Sequence, residues 1–215
     1  MFEPASFLLL ALIKGVFVGI VIALPVGPVG VLCVRRTIFE GPTFGFVSGM
    51  GAAIADTIFG VIAGAGLTVL RDFLLAYQNW FGVVGGVFLL YLGFHALWWP
   101  PTDHETRPLS DERRVRVFFS TFVLAVTNPV TILAFTAIFA QVGMADAGLF
   151  GITALVIGVF VGSLLWWLGL SFGLFWVQRL SGAIHLEWLN RISGGILAVS
   201  GVGLLGAAVK ALARI

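Results

Sequence analysis

Phe7-Leu-Leu-Leu-Ala-Leu-Ile-Lys14-Gly-Val-Phe-Val-Gly-Ile-Val-Ile-Ala-Leu24-Pro25-Val-Gly27-Pro28 is an apolar run that carries one charge and ends on two prolines. An α-helix needs about 20 such residues to cross a hydrocarbon core of about 30 Å. The stretch therefore reads as a transmembrane helix, interrupted at Leu24-Pro25-Val26-Gly27-Pro28. Glu3 precedes it, no basic segment leads it, and it continues past Gly19. That is too long for the roughly 7–15-residue core of a cleaved signal, so the segment is expected to stay as a helix.

Working outward from this stretch, the apolar pattern repeats. Hydrophobic spans are predicted at 6–34, 43–70, 80–99, 117–142, 148–177 and 190–213. Across the 215 residues, 60% are hydrophobic and 10% charged, against roughly 25% charged in soluble domains. The expected fold is an all-α integral membrane protein with six transmembrane helices, leaving no room for a soluble domain. Arg35–Gly41, Arg71–Asn79, Trp99–Arg116, Gly143–Ala147 and Gln178–Leu189 fall between the spans. The lone Cys33 excludes an intrachain disulfide and has no Cys or His at metal-ligand spacing. The net charge of +2 sits between hydrophobic runs, where membrane topology accounts for it and nucleic acid does not.

The polar, proline-rich segment Pro100-Pro-Thr-Asp-His-Glu-Thr-Arg-Pro108 divides the chain. It gives a first three-helix unit at 1–99, a linker at 100–116 and a second three-helix unit at 117–215. Lys and Arg are counted by side to orient the spans. The linker side carries Arg35, Arg36, Arg107, Arg113, Arg114, Arg116, Arg179 and Arg191, and the other side Arg71, Lys210 and Arg214, joined by Lys14 if its side chain extends outward. The linker is thus expected in the cytoplasm, both termini outside, and the protein in the plasma (cytoplasmic) membrane. Three spans per half insert in opposite senses, which an inverted repeat requires. Gly85-Gly86 and Gly194-Gly195 lie 57 and 65 residues after Pro28 and Pro129, which favours a duplicated unit. The identical runs Gly15-Val-Phe-Val-Gly19 and Gly158-Val-Phe-Val-Gly162 fall in spans 1 and 5. These spans are not equivalent in the repeat, so the identity is read as coincidence.

Candidate functional residues follow from what lipid penalises. Proline removes a backbone donor and breaks the helical ladder, and the freed groups need protein or a wet cavity. Pro25, Gly27 and Pro28 in span 1, with Asn128 and Pro129 in span 4, are therefore the expected substrate-binding positions. Paired broken helices in the two halves point to a transporter's site. Asp56, near the middle of span 2, costs at least about 2.5–3.5 kcal/mol if isolated at that depth. It should face inward, as the site of a proton or a coupling cation. Lys14 can instead extend its stem towards the interface, although a Lys14–Asp56 pair stays open. Gly41/Gly45/Gly49, Gly60/Gly64, Gly82/Gly86, Gly158/Gly162 and Gly169/Gly173 are spaced for close helix packing. Trp166 and Trp167 lie too deep for interfacial anchors and either fill the core or wall a cavity; Trp166 is the candidate.

Taken together, Gly27-Pro28, the ladder Gly41, Gly45, Gly49 leading to Asp56, Gly85-Gly-Val-Phe-Leu-Leu-Tyr-Leu-Gly93, Asn128-Pro129 and Gly162-Ser-Leu-Leu-Trp166 resemble the lysine exporter (LysE/RhtB-type) family of small six-helix transporters. The resemblance covers nearly the whole chain. It implies secondary-active export of an amino acid or derivative, coupled to protons or membrane potential, from two inverted three-helix repeats, and it allows a homodimer. By position, Gly27, Pro28, Asp56, Asn128 and Pro129 inherit the site role. Val130 stands where many members carry lysine, so no role of that lysine is carried over.

Other classes fare worse on the residues. A metal-ion exporter wants several oxygen, Cys or His ligands, and the spans offer Asp56, Cys33 and His95. A membrane enzyme lacks a paired redox cysteine and any Ser–His or metalloprotease motif, and no cofactor is called for. An accessory subunit would leave Asp56 and the broken helices without a purpose. The expected partners are a small-molecule substrate and the bilayer.

Overall fold

The computed structural model of the chain describes residues 4–24, 27–64, 73, 76–98, 110–128, 131, 134–135, 148–181 and 186–213. The principal helices are α1 (Pro4–Ala23), α2 (Pro28–Glu40), α3 (Pro42–Gly64), α4 (Gln78–Trp98), α5 (Asp111–Val126), α6 (Gly148–Ser181) and α7 (Leu186–Leu212). Among the described residues, five helices are long and apolar enough to cross a membrane: α1, α3, α4, α6 and α7.

The first predicted span is two helices. α1 ends at Ala23 and α2 starts at Pro28, where a proline is tolerated because a first-turn N–H has no helical partner anyway. α3 likewise starts on Pro42. Parts of two expected loops are helical. Arg35–Glu40 continues α2, leaving Gly41 alone between α2 and α3. Gly41 adopts φ +100°, a region open to glycine, and its N–H closes α2 on the carbonyl of Thr37. Residues 111–116, expected in the linker, form the start of α5, with Asp111 and Glu112 against the positive end of its dipole. Pro25, Trp99, Pro129, Val130 and residues 100–109 of the linker lie outside the described residues. So does most of the fourth span beyond Asn128.

α1 packs along α6, and α3 along α5 and α6. α4 packs along α7, while α2 touches α3, α5, α6 and α7. α2 is thus the central short helix. Among the described residues the core comprises three clusters, one of them almost entirely alanine: Ala23, Cys33, Ala52, Ala53, Ala55 and Ala125 with Trp167. Large apolar side chains such as Phe17 and Val199 point outward, the arrangement that suits a lipid solvent.

The two Gly-Val-Phe-Val-Gly runs, read as coincidence, face each other across the α1–α6 contact. A Cβ on Gly15 or Gly19 would collide with the carbonyl oxygens of Leu155 or Val159, and one on Gly158 or Gly162 with those of Leu12 or Val16. Close approach of two backbones through small residues is the usual means of helix association in lipid, where burial from water offers no drive. By contrast, Gly169 and Gly173, which share the same spacing, have nothing within 4 Å of an added Cβ. Gly158→Ala should therefore destabilise the detergent-solubilised protein by about 1–3 kcal/mol, the usual cost of overpacking. Gly169→Ala should leave its thermal unfolding in place.

Candidate functional site

The ends of the broken helices converge on one cavity of about 490 Å³. From the first break come Ile22, Ala23, Gly27, Pro28 and Val29. From the second come Leu124, Ala125, Asn128, Thr131 and Ala134. α3 contributes Ala52 and Asp56, α4 contributes Gly85 and Leu89, and α7 contributes Ser200 and Leu204. Most of this wall is apolar, so the few polar groups define what it can hold.

The break in the first span has an electrostatic sense. Gly27 caps α2 in an extended conformation with no side-chain hydrogen bond. The first bond within α2 runs from the Val31 N–H to the Gly27 carbonyl. The N–H groups of Val29 and Gly30 therefore have no acceptor within their own helix, and the positive end of the helix dipole lies at the cavity wall. The opposite sign comes from α1, whose last carbonyls also lack helical donors. In the second break, the Thr127 N–H still bonds to the Val123 carbonyl at 3.0 Å, and the Thr131 N–H bonds to the Asn128 carbonyl at 3.1 Å. The α5 helix thus ends before Asn128, and Asn128 lines the cavity.

Asp56 is 4% exposed and accepts a hydrogen bond from Ser163 Oγ of α6 at 2.8 Å. Lys14 is exposed on α1, so the two do not pair. A carboxylate on a largely apolar wall, held by one hydroxyl among the described residues, can accept a cation or a proton. Residues 20–207 of the chain match the LysE type translocator family.

The chain belongs to the LysE type translocator family. No solved structure matches it. Family membership makes this translocator a multi-pass membrane protein that moves amino acids or similar solutes, and a transporter rather than an enzyme.

Of the site residues expected from sequence, the translocator brings Gly27, Pro28, Asp56 and Asn128 to the same cavity. Pro25 and Pro129 lie outside the described residues. Trp166 is not on the wall: it packs against the alanine-rich cluster, and its neighbour Trp167 lines the cavity. Adjacent helical residues point about 100° apart, as 3.6 residues per turn requires, so only one of the pair could face inward. Trp167 is buried, and its Nε1 donor has no hydrogen-bond partner among the described residues. Ser163, the donor to Asp56, was legible only as part of Gly162-Ser-Leu-Leu-Trp166. Nothing in the apolar pattern singled out Ser200 or Thr131.

These two donors should differ sharply in stability assays. Ser163→Ala leaves a buried carboxylate without its hydroxyl and should cost about 1–3 kcal/mol in thermal unfolding. Trp167→Phe removes a donor that bonds to nothing described and should cost less than Ser163→Ala.

Proposed function

We propose that this translocator is a secondary-active exporter of monoamino, monocarboxylic amino acids or their derivatives with uncharged side chains. The observation that carries the reading is the placement of Asp56 and the α2 N-terminus on the walls of one cavity. The substrate's ammonium group is held at Asp56, as a charge-assisted pair. Its carboxylate is held at the N–H groups of Val29 and Gly30, where an anion is favoured by the helix dipole. Asn128 adds an amide beside the second break.

The remaining wall supports an uncharged side chain. Ile22, Leu89, Leu124, Leu204 and Trp167 present apolar surface, and Asp56 is the sole carboxylate within the predicted spans. A second ammonium, as on lysine, would leave one cation without an acidic partner, which is costly in a buried site.

Export is coupled to protons or to membrane potential through Asp56, which exchanges the substrate's ammonium for a proton or a cation. The linker lies in the cytoplasm and the termini outside, in keeping with the Arg-rich linker side. Two inverted three-helix units, 1–99 and 117–215, are supported by the packing. α1 against α6 corresponds to α5 against α3, while α4 against α7 and α3 against α6 pair equivalent helices of the two units. Metal export has less support: among the described residues no three His, Cys, Asp or Glu side chains gather.

The test is uptake by inside-out vesicles containing the protein, offered radiolabelled leucine and lysine separately. Leucine should accumulate in preference to lysine, and Asp56→Asn should lower that uptake by about ten- to a hundred-fold, the value of a lost charge-assisted bond. Uptake unchanged in Asp56→Asn would remove Asp56 from the mechanism. A preference for lysine would overturn the uncharged-side-chain class.

A further inference from the structure

Arg36 contributed only to the charge count in the sequence, yet it lies in the protein interior, 8% exposed. Its Nη1 donates to Ser48 Oγ at 2.7 Å, to Thr121 Oγ1 at 2.7 Å and to the Val117 carbonyl at 3.0 Å. Its Nη2 donates to Ser120 Oγ at 2.6 Å. One cation on α2 thus ties α3, in the first half of the chain, to α5, in the second. A guanidinium is never neutral in a protein, so these bonds are the stronger, charge-assisted kind.

The position of this cluster is as informative as its bonds. Ser48 is one turn before the cavity residue Ala52 on α3, and Thr121 is one turn before the cavity residue Ala125 on α5. Four residues rise about 6 Å. The Arg36 layer is therefore the next layer beyond the cavity, towards the end where α2 meets α3 and α5 begins. One further turn along α2 and α3, and about two along α5 from Thr121, lies a second layer: Arg113 Nη2 donates to Glu40 Oε2 at 2.9 Å, and its guanidinium stands 4.8 Å from the centre of the Phe44 ring. Both layers draw on the same three helices and cross between the same two halves.

We infer that these two layers are the linker-side gate of the translocator, with Arg36 as its inner latch and Glu40–Arg113 as its outer one. The inference rests on the transporter reading of the cavity, since a gate needs something to admit. In the present conformation both layers are closed. Passage from the linker side to Asp56 requires α5 to part from α2 and α3, exchanging the four bonds of Arg36 for water or for the solute's own carboxylate. The latch suits repeated opening because its acceptors are hydroxyls and a carbonyl, neutral groups that release a guanidinium more readily than a buried carboxylate would.

The chain supplies its own reporter. Cys33, its single cysteine, is fully buried one turn on the cavity side of Arg36, and packs in the cluster that holds Ala52, Ala125 and Trp167. The full-length protein is placed in inside-out and right-side-out vesicles and treated with a membrane-impermeant maleimide, and modification of Cys33 is followed by mass. Arg36→Gln should raise the labelling rate in inside-out vesicles by about ten-fold or more, the value of a lost bond to a charged group, and leave right-side-out vesicles unchanged. If Arg36→Gln fails to accumulate, the double variant Ser48→Ala/Thr121→Val weakens the same latch and should give the same one-sided rise. Glu40→Arg should also raise the rate, and the exchange Glu40→Arg/Arg113→Glu should restore it. Labelling unaffected by all of these variants, or raised equally in both vesicle orientations, overturns the gate. Because no substrate enters the readout, a failed uptake assay would count against the cavity assignment alone, and flat labelling against the gate alone.

Discussion

In hydrocarbon a backbone N–H or C=O without a partner costs several kcal/mol, and this chain breaks two of its membrane helices. Everything else in the structure follows from where those breaks are placed. They cannot face lipid, so both are turned inward and stacked around one cavity, with Asp56 on its wall. The same requirement explains the short central α2, which begins at the first break and is surrounded by α3, α5, α6 and α7. A helix with two arginines would be a poor choice at the lipid face; enclosed by other helices, it can carry Arg36 on a set of hydroxyls.

Close packing in this protein is achieved with small residues. The alanine-rich cluster beside the cavity and the two glycine runs between α1 and α6 let backbones approach, in keeping with an environment where burial from water offers no drive for helices to meet. The glycines are unequal, however. Those at 15, 19, 158 and 162 meet a neighbouring backbone, while those at 169 and 173 meet open space. Spacing alone cannot separate these cases, because a four-residue repeat specifies a stripe without specifying what the stripe faces.

That distinction also marks what could be read in the sequence. The helix break at Leu24–Pro28, the buried Asp56 and the turn at Asn128 were legible because each violates a rule of lipid-exposed helices, and the violation itself shows up as a residue type. The identical glycine runs are visible in the sequence, but equivalence between repeats says nothing of them, because the relation that matters is spatial contact between two different helices. Trp166 stands in the stretch that carries the resemblance, yet Trp167 lines the cavity: depth along a helix can be estimated from sequence and is the same for both, whereas rotation about its axis depends on neighbours. The role of Arg36 is the least legible in the sequence. Counting Arg and Lys by side orients a membrane protein well, but it treats every arginine as a surface charge, and the hydroxyls that hold Arg36 come from three residues scattered over two other helices. Residues 35–40 and 111–116 read as loops for the same reason, their charge masking their helical continuity.

Gly41 gives the architecture one further property. With a single non-helical residue between α2 and α3, the two helices have almost no slack between them. Any swing of α2 at the Arg36 end must be transmitted to α3, and Asp56 rides on α3. The chain thereby carries its buried carboxylate and its buried guanidinium on two helices joined through one residue, so that a displacement of either helix is felt at the other.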